Sequence, residues 1–316
     1  MNCIEFNDIR FAYPPVPGDT DENGNQLVPA PVFDHFTAAL PEGFVSLVGP
    51  NAAGKSTFML LAAGRMLPQQ GTVSLFGKNT ARLSEAERDA LASFIYQNME
   101  FETDDTAGNL LAYVFTHGLF GGSAAAIGGS TAAAVGGSAA AVGNGKIAGA
   151  SDETAPDISA NGGDSLLEQV VSVLELGSVL HRKLTGLSKG EMQRVIIAFA
   201  LLYGSKSIFM DEPLFALEDR QKRTALAYLK KYAATFGVTV YISMHELELS
   251  RVYADSVLLF YPNRDMDFGT PEEVLTPEAL EKAYGVPAAM LKDSEALTRK
   301  TLKEQAEAIS RLPREH

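Results

Sequence analysis

The chain has 316 residues, enough for one large or two small domains, and its 46% hydrophobic residues can form a full core. A formal net charge of −13 without any basic stripe argues against a nucleic-acid-binding surface. The single cysteine, Cys3, excludes an intramolecular disulfide and a cysteine-based metal site. The single cysteine, together with an N-terminus that lacks a signal-peptide pattern, indicates that the protein resides in a reducing compartment.

The first predicted elements are a strand at 2–13 and a second, buried strand at 44–48, which leads into a phosphate-binding loop. The loop completes the pattern G-x-x-x-x-G-K-[ST], and the apolar run 58–63 predicts the helix that should follow it. Backbone N–H groups of such a loop surround phosphate oxygens. The loop residues expected to bind nucleotide are Gly49, Asn51, Ala52, Ala53, Gly54, Lys55, Ser56 and Thr57. Lys55 supplies positive charge between the β- and γ-phosphates, and Ser56 offers a hydroxyl to Mg²⁺.

Three further elements are predicted before residue 100. Residues 71–77 form a short strand, and residues 84–91 form a helix whose capping box is Ser84 with Glu87. Residues 93–97 form a strand that ends in Gln97, a residue suited to contact Mg²⁺ or water.

Residues 118–163 are a Gly/Ala/Ser-rich insertion in which similar seven-residue segments recur. Low-complexity sequence of this kind buries little surface, which predicts a flexible surface insertion. A segment that orders on contact with a partner is the alternative. The uncharged stretch 119–145 contains too few large apolar residues to favour insertion into a membrane.

The second half of the chain carries the remaining polar motifs. The segment 187–194 predicts a helix N-terminus at Ser188, where Glu191 completes a capping box and Gly190 leaves room for an anion. The apolar strand 207–210 ends in Asp211, suited to hold Mg²⁺ through water, and Glu212, suited to polarise an attacking water.

An acidic segment that ends at Asp219 follows, and then comes another buried strand at 238–243. His245 lies just after that strand, where it can contact a γ-phosphate. Strands that alternate with helices indicate an α/β sheet with helices on both faces.

The order of these motifs resembles the ATP-binding cassette (ABC) ATPases over most of residues 2–275. The element Leu-Ser-Lys-Gly-Glu at 187–191 matches the family's signature. The resemblance implies a P-loop NTPase (RecA-like) core, an antiparallel β-subdomain near the N-terminus, and a helical subdomain at about 100–200. It implies one nucleotide-binding domain at 1–275, and residues 276–316 are expected to form a helical tail.

The family resemblance also assigns roles to single residues. Tyr13 would stack on adenine, and Ser56, Gln97 and Asp211 would organise Mg²⁺. Glu212 would be the catalytic base and His245 the switch residue. Ser188 and Gly190, with Glu191 in the same element, would face the γ-phosphate held by a second subunit. Asp219 would belong to the loop that couples the two sites.

Three residues depart from the family pattern. Ala52 replaces a glycine, so nucleotide binding should survive but weaken if φ at this position is positive. Lys189 replaces a glycine and Glu191 the commoner glutamine, which affects the contact with the second subunit.

The function implied is that of an ATP- and Mg²⁺-dependent ATPase subunit of an importer, lying on the cytoplasmic face of the cell membrane. Its partners would be a membrane permease, a second ABC subunit (expected to be identical) and a substrate-binding protein. Residues 269–286 look like the matching region of iron-chelate and vitamin B12 uptake ATPases, although residues 272–284 are also consistent with a simple capped amphipathic helix. A soluble ABC protein acting in assembly or as a mechanical ATPase is the main alternative, and a regulatory module with little turnover is another.

Overall fold

The computed structural model describes residues 2–18, 20, 26–97, 99, 101, 103–120, 163–287 and 290–291. In chain order, the elements within these residues are β1 (Asn2–Phe11), β2 (Phe33–Pro41), β3 (Phe44–Val48), α1 (Lys55–Ala62), β4 (Gln70–Leu75), β5 (Lys78–Asn79), α2 (Glu85–Leu91), β6 (Ala92–Ile95), α3 (Ala107–His117), α4 (Gly163–Val173), α5 (Lys189–Tyr203), β7 (Ser207–Met210), α6 (Asp219–Phe236), β8 (Thr239–Ser243), α7 (Leu247–Tyr253), β9 (Ser256–Phe260), β10 (Met266–Gly269), α8 (Pro271–Val274) and α9 (Pro277–Tyr284).

The chain divides into two compact units. One is formed by Met1–Phe44 and Ser56–Ser243, and the other by Val45–Lys55 and Met244–His316, in each case over the residues that the structure describes. The larger unit therefore contains the antiparallel sheet, the helices α2 to α6 and the strands β6 to β8. The smaller unit contains the phosphate loop up to Lys55 and the elements α7 to α9.

The antiparallel sheet of the larger unit has the strand order β2-β1-β4-β5. Its face is covered by aromatic rings, because Phe6 on β1 lies 4.8 Å from Phe58 and 5.4 Å from Phe36, between ring centroids. Phe6 and Phe36 come from the alternating apolar positions that predict a half-buried sheet. The predicted antiparallel β-subdomain is confirmed.

The parallel strands of the larger unit have the order β8-β7-β6. Every residue of β7 and β8 is buried, which explains why the strands contain the apolar runs 208–210 and 240–242 in the sequence. Helices α3 and α4 pack against α5, within the range predicted for a helical subdomain. The predicted insertion at 118–163 lies outside the described residues, apart from 118–120 and 163.

In the smaller unit, β3 pairs in parallel with β9, and β10 pairs antiparallel with β9. The predicted strand before the phosphate loop is confirmed at β3, and the helix after the loop begins at Lys55, three residues earlier than predicted. The P-loop NTPase fold class with its β- and helical subdomains is thus present.

The interpretation of residues 272–284 as a single helix is wrong. Two short helices, α8 and α9, stand there instead, each capped by a threonine side chain and each with a proline in its first turn. Pro277 has no N–H to donate and forces Thr276 into an extended conformation, which interrupts the helix. The tail beyond 291 lies outside the described residues. Among the helices that the structure describes, none has the length and apolar character needed to cross a bilayer.

Candidate nucleotide-binding and hydrolysis residues

The backbone of the phosphate loop depends on glycine at position 49. Gly49 adopts φ 145°, and a Cβ there would lie 2.6 Å from the carbonyl oxygen of Phe260 on β9. Gly54 also has a positive φ, of 102°. Only glycine adopts these conformations readily, so the two fixed glycines of the pattern have a direct structural cause.

The Lys55 side chain folds back over the loop that precedes it. Its Nζ donates hydrogen bonds to the carbonyl oxygens of Gly49, at 2.8 Å, and Pro50, at 2.9 Å. The residue is only 7% exposed and begins α1, so its charge is held where the loop and the positive end of the helix meet. This is an arrangement suited to phosphate oxygens.

Ala52 has φ 62°, in the left-handed region, so the condition under which we expect weaker nucleotide binding is met. An L-residue in that conformation costs about 1–2 kcal/mol, whereas a glycine loses about 0.5–1 kcal/mol of backbone entropy. Because Ala52 is exposed, removing its methyl group gives up no packing.

We therefore expect Ala52→Gly to raise the free energy of unfolding by about 0.5–1 kcal/mol and to tighten ATP binding modestly. Urea denaturation followed by circular dichroism measures the first effect. The matched control is Ala53→Gly, because the neighbouring alanine is 2% exposed, has no positive φ, and should be destabilised by the same change. Equal destabilisation of both variants would contradict the strain at position 52.

Tyr13 and Thr57 make a contact in the larger unit that no local sequence pattern predicts. The two hydroxyl oxygens lie 2.9 Å apart, and the Tyr13 ring packs edge-on against Phe11. Tyr13 remains 42% exposed, so part of its ring is accessible to a planar ligand. Thr57 is buried, whereas Ser56, the last residue of the pattern, is exposed, so the two adjacent hydroxyl groups occupy different environments.

Gln97 lies in contact with Glu212, the residue that follows Asp211. The Asp211 backbone N–H donates to the carbonyl oxygen of Ile95, which aligns the ends of β6 and β7. Gln97 lies two residues beyond β6, and its Nε2 donates to Glu212 Oε2 at 2.7 Å. Both carboxylates therefore follow the carboxyl end of β7, beside the end of β6 that precedes Gln97, in the usual place for reactive groups in such sheets.

Ser243 is the functional candidate that sequence reasoning missed. It is the last residue of β8, and its Oγ donates to Asp211 Oδ1 at 2.7 Å while accepting the Glu212 N–H at 2.8 Å. The contact follows from the parallel pairing of Met210 with Ile242, which places Asp211 and Ser243 at the same edge of the sheet.

The signature element forms the predicted helix N-terminus. Ser188 Oγ accepts the Glu191 N–H at 3.3 Å, and the Ser188 N–H donates to Glu191 Oε2 at 2.7 Å, which completes the capping box. The hydrogen bond from the Ser188 backbone is the main cause that lowers the pKa of Glu191, with Arg182 adding to it. Glu191 is thus ionised at neutral pH and keeps the N-terminus of α5 in place.

The signature helix also contacts the segment that follows Glu212. A Cβ on Gly190 would lie 2.8 Å from the Ala216 carbonyl oxygen, and Gln193 Oε1 accepts the Ala216 N–H at 2.8 Å. Asp219 is the first residue of α6, which Glu218 caps together with Gln221. Gly190 is therefore required for close packing in addition to any role toward an anion.

Next to this contact lies a groove of about 540 Å³ in the larger unit. Among the described residues, its lining is mostly apolar and includes two charged residues, Asp104 and Lys189. The residues around it include Met99, Phe101, Leu184, Leu187, Met192 and Phe215. Phe215 is 66% exposed.

His245 lies in the smaller unit, two residues after β8, and is exposed. Its position at the start of the chain segment leading to α7 agrees with the predicted strand end. All of the site residues that the sequence predicts lie within the part of the chain that the structure describes.

A family model described as "ABC transporter" matches residues 36–215, more than half of the chain. The hemin import ATP-binding protein HmuV of Gloeobacter violaceus is 26% identical over 264 residues, which cover 80% of this chain and 82% of the relative. The sulfate/thiosulfate import ATP-binding protein CysA of Mesostigma viride is 24% identical over 242 residues, 76% of this chain, and the chain spans only 58% of that relative's length.

Among solved structures, the ATP-binding subunit of an ABC transporter aligns with a TM-score of 0.62 and 20% identity. The alignment covers 92% of this chain and 98% of that one, which shows a common fold. Together with the phosphate loop, the paired carboxylates and the capped signature helix, the family match leads to one conclusion. The chain is an ATP-binding cassette ATPase and belongs to the ABC transporter family.

Proposed function

We propose that this chain is the ATP-hydrolysing subunit of an importer that moves its cargo through a separate permease. The observation that carries the proposal is the cluster of Gln97, Asp211 and Glu212, in which a carboxylate stands where it can accept a proton from water. The import relatives support the direction of transport, and the hemin relative supports a cargo of the iron-chelate, haem or cobalamin type.

The mechanism follows from what each side chain can do. Lys55, held by the loop carbonyls, offsets negative charge on the phosphates, and the exposed face of Tyr13 stacks on adenine. Glu212 accepts the proton of the water that attacks the γ-phosphate in line. Gln97 holds one Glu212 oxygen, which orients the carboxylate, and His245 senses the γ-phosphate.

Mg²⁺ fits the donor set. Among the described residues there is no group of three or more His, Cys, Asp or Glu that could hold a metal by itself. Ser56, Gln97 and Asp211 instead offer a hydroxyl, an amide oxygen and one carboxylate, the sparse oxygen set that Mg²⁺ uses when substrate phosphates supply the remaining ligands. When bound, Mg²⁺ neutralises the charge on the phosphate oxygens.

The working unit would be a dimer. The capping box at the start of α5 uses the Ser188 hydroxyl and the backbone N–H groups of Ser188 and Glu191. The backbone N–H groups of Lys189 and Gly190 lie in the first turn, where the helix itself provides no carbonyl acceptor. These groups would face the γ-phosphate bound to a second copy. Asp219, the first residue of α6, would belong to the loop that couples the two sites. Closing and reopening of the dimer would transmit the energy of hydrolysis to the permease.

The apolar groove beside Phe215 supports contact with a permease, because a short helix with apolar side chains would cover it. The subunit would then lie on the cytoplasmic face of the membrane, in a system that also includes a substrate-binding protein. We further propose one nucleotide-binding domain at 1–275, a flexible insertion at about 118–163, and a helical tail at 276–316.

The test is to purify the full chain from native membranes and to measure both phosphate release from Mg-ATP and the proteins that copurify. We expect ATP hydrolysis and a multi-span membrane protein in stoichiometric amount. Hydrolysis without any membrane partner, together with a purely soluble distribution, would favour the alternative of an ABC ATPase acting in assembly or as a mechanical ATPase. Absence of hydrolysis in the intact complex would contradict the proposed enzyme activity.

A further inference from the structure

Ser243 joins the two carboxylate positions through a single hydroxyl group. A serine hydroxyl has one proton to donate and two lone pairs. In this structure the proton is donated to Asp211 Oδ1, at 2.7 Å, and one lone pair accepts the Glu212 N–H, at 2.8 Å. Ser243 is 1% exposed, so water has little access to take over either bond.

The backbone at Glu212 needs such a partner. Its φ is 50°, in the left-handed region that a residue with a side chain rarely adopts. Strained conformations of this kind persist where surrounding contacts fix them. Ser243 fixes the N–H of Glu212, and Gln97 fixes its Oε2, so the residue is held at both ends.

We propose that Ser243 is a positioning residue for ATP hydrolysis, which orients the Asp211 carboxylate and the Glu212 side chain at the same time. The inference rests on the proposed roles of Asp211 toward Mg²⁺ and of Glu212 as the base. Removing the hydroxyl should let the Asp211 carboxylate rotate and the Glu212 peptide relax. Groups that orient metal ligands typically change metal affinity or activity by about 10–100-fold when they are removed.

The experiment compares Ser243→Ala with Ser243→Thr, which keeps the hydroxyl, in the full chain. In Ser243→Ala we expect kcat to fall about 10–100-fold while the KM for ATP changes by less than about threefold. Without turnover, the Mg²⁺ concentration that half-maximally enhances binding of a fluorescent ATP analogue should rise by a similar factor. Ser243→Thr should restore most of both properties.

Ser207→Ala is the matched control. Ser207 is also fully buried on a parallel strand, and its Oγ donates to the Leu91 carbonyl oxygen at 2.7 Å, but it lies at the opposite end of β7 from the carboxylates. This variant should lose stability without losing Mg²⁺ dependence or kcat.

Wild-type kcat and Mg²⁺ dependence in Ser243→Ala would overturn the proposal, and so would an equal loss in Ser207→Ala. If Ser243→Ala does not fold, the nearly isosteric Ser243→Cys takes its place, since a thiol is a weak donor. Failure of both to fold would assign the residue a purely structural role. Absence of ATP hydrolysis by the wild-type complex would instead contradict the proposed function itself.

Discussion

Replacing Glu212 by glutamine is expected to lower kcat for ATP hydrolysis by about 10²–10⁴-fold, the usual contribution of a general base. An amide in this position can still accept the hydrogen bond from Gln97 Nε2, so the local geometry should survive. It cannot accept a proton from the attacking water. The KM for ATP should therefore change little, because the loss falls on the transition state and leaves binding intact. Steady-state phosphate release, with nucleotide binding measured separately, distinguishes these two quantities.

Glu87→Gln is the matched control for this substitution. Glu87 is also hydrogen-bonded, through its capping box with Ser84 at the start of α2, and glutamine fills the same role in such boxes. The control should retain full activity. Hydrolysis by Glu212→Gln at the control's rate would remove Glu212 from the mechanism.

Gly49→Ala is expected to have the largest effect on stability, lowering the free energy of unfolding by about 2–4 kcal/mol through strain and overpacking. The new Cβ would lie 2.6 Å from the Phe260 carbonyl oxygen and 2.9 Å from its Cβ, and neither atom can rotate away. The Gly49 carbonyl oxygen also anchors Lys55 Nζ, so displacement of the loop should weaken ATP binding as well.

Urea denaturation followed by circular dichroism measures the stability, since the chain contains no tryptophan to report by fluorescence. Gly285→Ala provides the control in the same unit. Gly285 has φ 69°, but a Cβ added to it would meet no atom within 4 Å from the described residues beyond its chain neighbours. It should therefore lose only about 1 kcal/mol and bind ATP normally. Similar losses in both variants would show that the clash with Phe260 is relieved at little cost.

The predictable part of this fold is the part whose pattern is local. The strands β7 and β8 are predictable because both faces of each strand are buried, which gives the apolar runs 208–210 and 240–242. The capping boxes at Ser84 and Ser188 are predictable because the spacing of two side chains fixes them. The phosphate loop is predictable because its glycines are required by the backbone itself.

The contacts that cannot be predicted from the sequence join residues that are distant along the chain. The bond from Ser243 to Asp211 exists only because β8 lies beside β7, and no local pattern states that adjacency. The same limit applies to the Tyr13 and Thr57 contact, which joins positions that are 44 residues apart. Conversely, the break between α8 and α9 is predictable from the sequence, since Pro277 follows a threonine that can cap a new helix.

The pairing of β6 with β7 also bears on how this chain tolerates changes in length. Ser207 and Leu91, which share a hydrogen bond across this pair, are 116 residues apart, and residues 121–162 lie between them. The entropy of closing such a contact in an unfolded chain grows only with the logarithm of the intervening length. Removing residues 121–162 would change that term by about 0.4 kcal/mol. A change in the length of this segment should therefore leave the register of the strand ends before Gln97 and Asp211 intact.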